Sequence, residues 1–302
     1  MQACGQVSKS RVHTRRRATL RLPFRLIIDR RNGRDGASNM AVDEALLASA
    51  MHPGAIPTLR LYHFHRPTVT FGYGQNVAQA VNEAACRDRD VECVRRISGG
   101  RALLQGHDLT YSVTAPPCAR SVRSTYQSVT GAVRGALEQL GVPVDGPRAS
   151  REPGEPRQND ALRAPSHLPC LAVPTGHEIT AAGRKVVASA MRFRRRGFLT
   201  QGSIFWSIDR PLSKQVTRLG ERHALTAVGI RELDAPVFGE AELMKALSSA
   251  FEELLGAPAL PEALSSQESA LASDLAEKYR SEAWTRSRRI RSRLVDNSET
   301  VW

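Results

Sequence analysis

Short alternating apolar runs closed by glycine or proline, with helical repeats set between them, limit this fold more than any single motif does. In PTLRLYHFHRP (57–67), Leu59, Leu61 and His63 alternate with Arg60, Tyr62 and Phe64, the two-residue period of a half-buried strand. Leu109, Tyr111 and Val113 alternate with Thr110, Ser112 and Thr114 in the same way. FRLIID (24–29), TVTFGYGQN (68–76), VECVRRIS (91–98), HEIT (177–180), and KVVASAM and FLTQGSIFWSI around the turn RFRRRG (185–208) have strand composition. Between them, Ser38 or Asn39 can cap a helix over MAVDEALLASA, and a second helix covers Ala78–Arg89. Tyr126, Val129, Val133, Leu137 and Leu140 step by three or four before Gly141, the pattern of an amphipathic helix with its stop. This interleaving argues an α+β fold of mixed or antiparallel sheets flanked by helices, and argues against a doubly wound sheet.

The last third is helical. Leu243, Leu247, Ala250, Phe251 and Leu254 form one stripe before Gly256, and Ser265 with Glu268 makes a capping box ahead of Leu271, Leu275 and Tyr279. The chain divides into a basic, disordered tail (1–24), a catalytic domain (25–212), a small helical C-terminal subdomain (213–285) and a second basic tail (286–302). Residues 144–169 are rich in proline, glycine and charge, and read as a long mobile loop.

The net charge of +13 invites a nucleic-acid reading, so its location matters. Residues 1–25 hold seven Lys and Arg and no acid, and residues 286–302 carry +3, which leaves only +3 for 26–285. With the excess in the tails and only 5% aromatic residues, nucleic acid is not the expected partner. The first segment also admits an upstream start codon or an Arg-rich presequence. No apolar run approaches the ~20 residues that span a bilayer, so no membrane partner is expected. Five cysteines without paired spacing fit a reducing compartment, and a cytoplasmic monomer is expected.

RRISGGRALLQGHDLTYS (95–112) sets two arginines before a Gly-Gly pair and a third after it. Such a turn can hold an anion, or can simply be a tight turn with solvated arginines. Neither a P-loop nor a complete dinucleotide fingerprint occurs, because FGYGQN lacks the third glycine. No C-x-x-C or H-x-x-x-H pair offers a metal site. His107 and His177 lie near these segments, but a lone histidine is weak evidence. Cys170 follows the long loop, and Lys185 opens an apolar strand fifteen residues later. An ammonium beside a thiol favours thiolate; lowering a thiol pKa by about two units from ~8.5 needs roughly 2.7 kcal/mol.

Several segments, in order, resemble the biotin/lipoate protein ligase and octanoyltransferase superfamily: NMAVDEALL (39–47), LRLYHFHRPTVTFGYGQN (59–76), RRISGGRALLQGHDLTYS (95–112), HEITAAGRKVVASAMRFRRRGFLTQGSI (177–204) and LASDLAEKYRSEAWTRSR (271–288). Cys170, Glu178 and Lys185 are in the register of its cysteine-dependent octanoyl-[acyl carrier protein]:protein N-octanoyltransferase branch, which is similar to lipoate–protein ligase A. The resemblance implies a class II biotin/lipoate ligase-like catalytic domain with Cys170 and Lys185 as catalytic residues. It implies substrate contacts at Gly72, Gln75, Arg96, Ser98, Gly99, Gly100, Arg101 and Gly202. It implies no cofactor beyond the acyl-phosphopantetheine arm of acyl carrier protein, and as partners that carrier and the lipoyl domains of 2-oxoacid dehydrogenases or the glycine cleavage H protein. The alternatives are an ATP-dependent lipoate–protein ligase and a lipoyl amidotransferase. Arg184, Arg192, Arg194, Arg195 and Arg196 are candidates for steering acidic partners, or RFRRRG is an exposed hairpin turn. Three positions depart from the family: Gln105-Gly106 where His-Asp is common, Leu171 where an aromatic often follows the cysteine, and Ala188 in place of a glycine.

Overall fold

An arginine in the middle of a strand with no solvent on either side sets the layout. In the computed structural model, which describes residues 23–29, 33–117, 121–145, 178–218 and 227–288, every residue of strand β2 (Thr58–Tyr62) is buried. The chain before residue 23 and after residue 288, nearly all of the stretch 144–169, Cys170 and His177 lie outside the described residues.

Strand β1 (Phe24–Ile28) runs parallel to β2, and β2 pairs antiparallel with β6 (Asp108–Ala115). From there β9 (Phe198–Phe205), β8 (Arg184–Phe193) and β7 (Ile179–Ala181) continue antiparallel. The short β10 (Ala259–Pro261) adds parallel to β1, giving a seven-stranded sheet in the order β10-β1-β2-β6-β9-β8-β7. A second sheet has three strands, with β3 (Thr68–Phe71) between parallel β4 (Glu92–Arg95) and antiparallel β5 (Leu103–Gln105). The fold is therefore α+β with mixed sheets, as the interleaved pattern predicts.

Both faces of the large sheet are covered. Leu59, Leu61, Leu109, Tyr111 and Val113 face a core shared with helix α4 (Val122–Gln139) and a helix over Glu240–Leu255. The opposite face lies under helix α1 (Gly36–Ala50). This corrects the half-buried reading of β2 and β6: Arg60, Tyr62, Thr110 and Ser112 are buried too, because α1 brings polar partners to them. Asp43 of α1 takes Arg60 Nη1 at 2.7 Å and Ser112 Oγ at 2.7 Å on one oxygen. Its other oxygen takes Tyr62 O–H at 2.9 Å and Gln201 Nε2 at 2.7 Å. Asp29 and Asn39 accept the remaining Arg60 donors. A buried guanidinium is tolerable only when its fork is filled in this way.

Local details also differ from the sequence expectation. The α1 cap is Asp35, whose Oδ1 accepts the Ser38 N–H at 2.7 Å, and Asn39 sits inside the helix. The single helix expected over 78–89 is two, α2 (Val77–Ala80) and α3 (Glu83–Asp88). Val81 is extended there and bridges Thr217, and Asn82 caps the second helix through the Ala85 N–H. Helix α5 (Arg210–Val216) follows β9, and α6 is the helix over Glu240–Leu255. Helix α7 (Ser266–Arg280) starts at the expected Ser265–Glu268 capping box and is followed by α8 (Glu282–Ser287). Residues 240–287, the helical C-terminal part, share their apolar faces with the body: α6 with α4, and α7 with α1. Glu44 of α1 receives Lys278 Nζ at 2.7 Å and Tyr279 O–H at 2.5 Å.

Arg25 of β1 forks onto Glu268 of α7, at 2.7 and 2.9 Å. Burial alone would raise the Glu268 carboxyl, but the hydrogen bonds from Arg25 and from the Ser265 N–H outweigh it and hold it at about 2 against an ordinary 4.5. A carboxyl lowered on folding stabilises the fold above its unfolded pKa, and that stability drains as pH falls through the folded value. Urea midpoints are therefore expected to fall between pH 4.5 and about 2 by an amount that Arg25→Met reduces. An unchanged pH profile in Arg25→Met would contradict the pairing.

Candidate active site

Arg95 and Arg96 leave β4 in opposite directions, and both end on backbone carbonyls. Arg96 curls over the Gly-Gly turn, with Nη1 donating to Thr70 Oγ1 at 2.7 Å and Nη2 to the carbonyls of Gly99 and Arg101 at 2.9 and 3.1 Å. Arg95 ties the FGYG loop to the end of α8, since Nη1 donates to the carbonyls of Tyr73 and Gln75 at 2.8 and 2.7 Å and Nη2 to that of Thr285 at 2.7 Å. Trp284 Nε1 returns a bond to the Arg95 carbonyl at 3.0 Å. Burial, with the charge of Arg288 nearby, brings Arg95 down to about 10. Neither arginine is solvated as the tight-turn reading expects: both are buried and hold the two loops through backbone carbonyls.

The glycines have different tasks. A methyl on Gly72 would lie 2.0 Å from the Gly100 carbonyl oxygen, so the two loops pack backbone on backbone. Gln75 Oε1 accepts the Gly72 N–H at 3.1 Å and fixes that loop. Gly202 lies in β9, paired with Tyr111 on one side and Ser189 on the other. The Tyr111 ring crosses it, 2.3 Å from where a methyl would sit, and the Tyr111 hydroxyl meets Ser189 Oγ at 2.7 Å. Burial pushes Tyr111 up to about 12, so it acts as a neutral hydroxyl. Ser98 Oγ donates to Gln201 Oε1 at 2.6 Å, and Gln201 donates onward to Asp43. The Gly-Gly turn is thereby linked to the buried centre of the large sheet.

Between this turn, the small sheet and β8–β9 lies a cleft of about 390 Å³, open to solvent. Arg96, Gly100, Arg101 and Gly202 line it, as does Ala188 at one of the positions that depart from the family. Gly72, Gln75, Ser98 and Gly99 do not line it; the first three support the turn from behind, and Gly99 is exposed. The sequence reading missed Met40, Tyr62, Gln201 and Ser203 as lining residues, named Gln105 only as a departure from the family, and missed Asp43 as the carboxylate beneath Gln201. Asp43 alone carried a signal, as an acid inside an apolar helix. A smaller cleft of about 290 Å³ adjoins Gln105, with the exposed His107 at its edge. Among the described residues no three His, Cys, Asp or Glu side chains are grouped to hold a metal.

Lys185 lines neither cleft. It is fully buried on β8, three residues before Ala188, and its Nζ meets Glu178 Oε1 at 2.6 Å. The apolar strand tolerates this ammonium because the carboxylate of Glu178, just ahead of the neighbouring strand β7, neutralises it. Of the arginines around RFRRRG, Arg194 is buried, and Arg192 is half-buried with its guanidinium 5.1 Å from the Tyr73 ring centre. Arg184, Arg195 and Arg196 are exposed.

Comparison with known proteins gives this arrangement a family. The chain is 35% identical over 263 residues to octanoyltransferase LipM of Kyrpidia tusciae, covering 82% of this chain and 93% of that protein. It is 32% identical to octanoyltransferase LipM of Carboxydothermus hydrogenoformans, with 82% and 94% covered. Among solved structures, a bipartite lipoate protein ligase of Thermoplasma acidophilum superposes with a TM-score of 0.70 at 21% identity, covering 90% of this chain and 98% of that one. Lipoate-protein ligase A bound with ATP gives 0.70 at 22%, with 88% and 98% covered. At those identities the structures speak for the fold alone. Residues 35–245 match the lipoyl protein ligase A/B catalytic domain, and the chain belongs to that family.

Proposed function

We propose that this protein is an octanoyltransferase that moves an octanoyl group from acyl carrier protein to a lysine of a lipoyl domain through a thioester on Cys170. One observation carries the reading: relatives named as octanoyltransferases align over 82% of the chain at 32–35% identity. The cleft suits an acyl chain. Leu103, Ala188, Ala190 and Gly202 give it small, neutral walls, and Arg96, its most deeply buried cation, is bound to the carbonyls of its own turn.

The reaction runs in two acyl transfers. The Cys170 thiolate attacks the thioester carbonyl, a bond forms to its sulfur, and the phosphopantetheine sulfur leaves with the electron pair of the broken C–S bond. The amine of the acceptor lysine then attacks the acyl-enzyme, Cys170 leaves as thiolate, and the amine gives up a proton as the amide forms. No nucleotide is consumed, because the thioester is already activated. Lys185 supplies the positive charge that favours the Cys170 thiolate. The paired Glu178 keeps that ammonium oriented. Gly202 is paired on both sides within the sheet, so its N–H is committed to the ladder. Backbone N–H groups of the Gly99–Arg101 turn are then the donors for the carbonyl oxygen. The exposed Arg184, Arg195 and Arg196 suit an acidic carrier or acceptor.

Incubation with octanoyl-acyl carrier protein should add one hydroxylamine-labile octanoyl group to the protein by mass spectrometry, and Cys170→Ser should abolish it. The same labile adduct on the serine variant would remove Cys170 from the reaction. Lys185 and Glu178 call for a stability cycle alongside activity. Glu178→Gln should cost about 3–5 kcal/mol by stranding a buried ammonium, and Glu178→Gln with Lys185→Gln should recover most of that loss. If the double variant regains stability yet acylates as fast as wild type at neutral pH, Lys185 has no part in activating the thiol.

A further inference from the structure

We propose that Gln105 is a partition that limits the length of acyl chain this protein accepts; the proposal rests on the acyl-transfer reading above. Two clefts meet at this one side chain, since Gln105 lines both the larger and the smaller. Strand β9 runs along both: Gln201, Gly202 and Ser203 border the first, and Phe205 and the following Ser207 border the second. At a rise of about 3.3 Å per residue, Gly202 to Phe205 spans about 10 Å. On this proposal the two spaces, which share Gln105, are successive compartments of one path divided at that side chain.

The amide is a fixed crossbar. Its Oε1 accepts Ser203 O–H at 2.8 Å, and its Nε2 donates to Thr70 Oγ1 at 3.2 Å. Thr70 Oγ1 also takes the Arg96 bond that holds the Gly-Gly turn. The crossbar therefore joins β5 and β3 of the small sheet to β9 of the large one, and Gln105 is only 5% exposed. With both ends of the amide hydrogen-bonded inside the protein, an acyl terminus meets a closed wall and displaces no unpaired polar group. Leu103, Ala188 and Phe205 pack together beside it, so the partition continues into an apolar cluster. Beyond it the second cleft offers further apolar surface at Leu104, Phe205 and Ile208. A chain stopped by Gln105 would extend onto that surface once the amide is removed. Gln105 also stands where this chain departs from the His-Asp common in the family.

The test is competition between octanoyl- and dodecanoyl-acyl carrier protein on the full-length protein, read as the mass of the acyl-enzyme. Wild type should take octanoyl in preference. Gln105→Ala should raise the dodecanoyl-to-octanoyl ratio of kcat/KM by about tenfold or more. Gln105→Met, which refills the space, should return that ratio toward wild type whatever happens to the overall rate. Ser203→Ala frees one end of the amide and should move the ratio the same way by a smaller factor; it carries the test if the alanine variant does not fold. An octanoyl-selective wild type whose ratio moves in neither Gln105→Ala nor Ser203→Ala would overturn the partition and leave the transferase reading standing. A wild type that takes no acyl group from either carrier would overturn both.

Discussion

The Asp43 carboxylate is the point on which this structure turns. It sits on a helix, with no exposure, and gathers Arg60, Tyr62, Ser112 and Gln201 from three strands. A buried ion pair of this kind contributes little net stability against an apolar replacement, but losing one partner costs about 3–5 kcal/mol. Its effect is to fix position: α1 can dock on the sheet in only one register that satisfies the Arg60 fork. From Gln201 one further hydrogen bond reaches Ser98, and so the Gly-Gly turn. The floor of the cleft and its rim are thus set by the same carboxylate.

The glycine-rich turn between arginines looks like an anion loop in sequence, and its geometry is that of a clasp. Two guanidiniums are tied to carbonyls, one closing the turn on itself and one holding the FGYG loop to the C-terminal helix. Gly72 and Gly100 let the two loops touch through their backbones. Apart from Arg96 and Arg101 the cleft lining is neutral, from Ala188 and Gly202 to Met40, Tyr62 and Phe64, which suits an alkyl chain better than a phosphate.

Much of the fold was legible because period and caps are local properties. The strand at Leu59–Tyr62, the amphipathic α4 and the Ser265–Glu268 capping box follow from spacing alone. Burial of the polar strand face was not legible, since it depends on α1, the helix between β1 and β2, folding back over Arg60 and Ser112. The break at Val81 was hidden for the same reason: its partner, Thr217, lies far along the chain. In the site, the motif RRISGGR marked the right turn, but motif membership could not separate Arg96, which lines the cleft, from Gln75, which braces it. Gln105 stood out only as a departure from the family and Ser203 not at all, because a buried amide and hydroxyl acquire meaning only from each other. Lys185 was legible as a charge in an apolar strand, and its partner Glu178 explains how the strand tolerates it.

An acyl group delivered as a thioester needs a cleft and a nucleophile, whereas a free acid needs nucleotide as well. The central claim is therefore tested most directly by mixing the protein with an unmodified lipoyl domain under two conditions. One supplies octanoyl-acyl carrier protein without nucleotide; the other supplies octanoate and ATP without the carrier. The account predicts an octanoyl mass increase on the lipoyl domain in the first mixture and none in the second. Modification confined to the mixture with octanoate and ATP would contradict it.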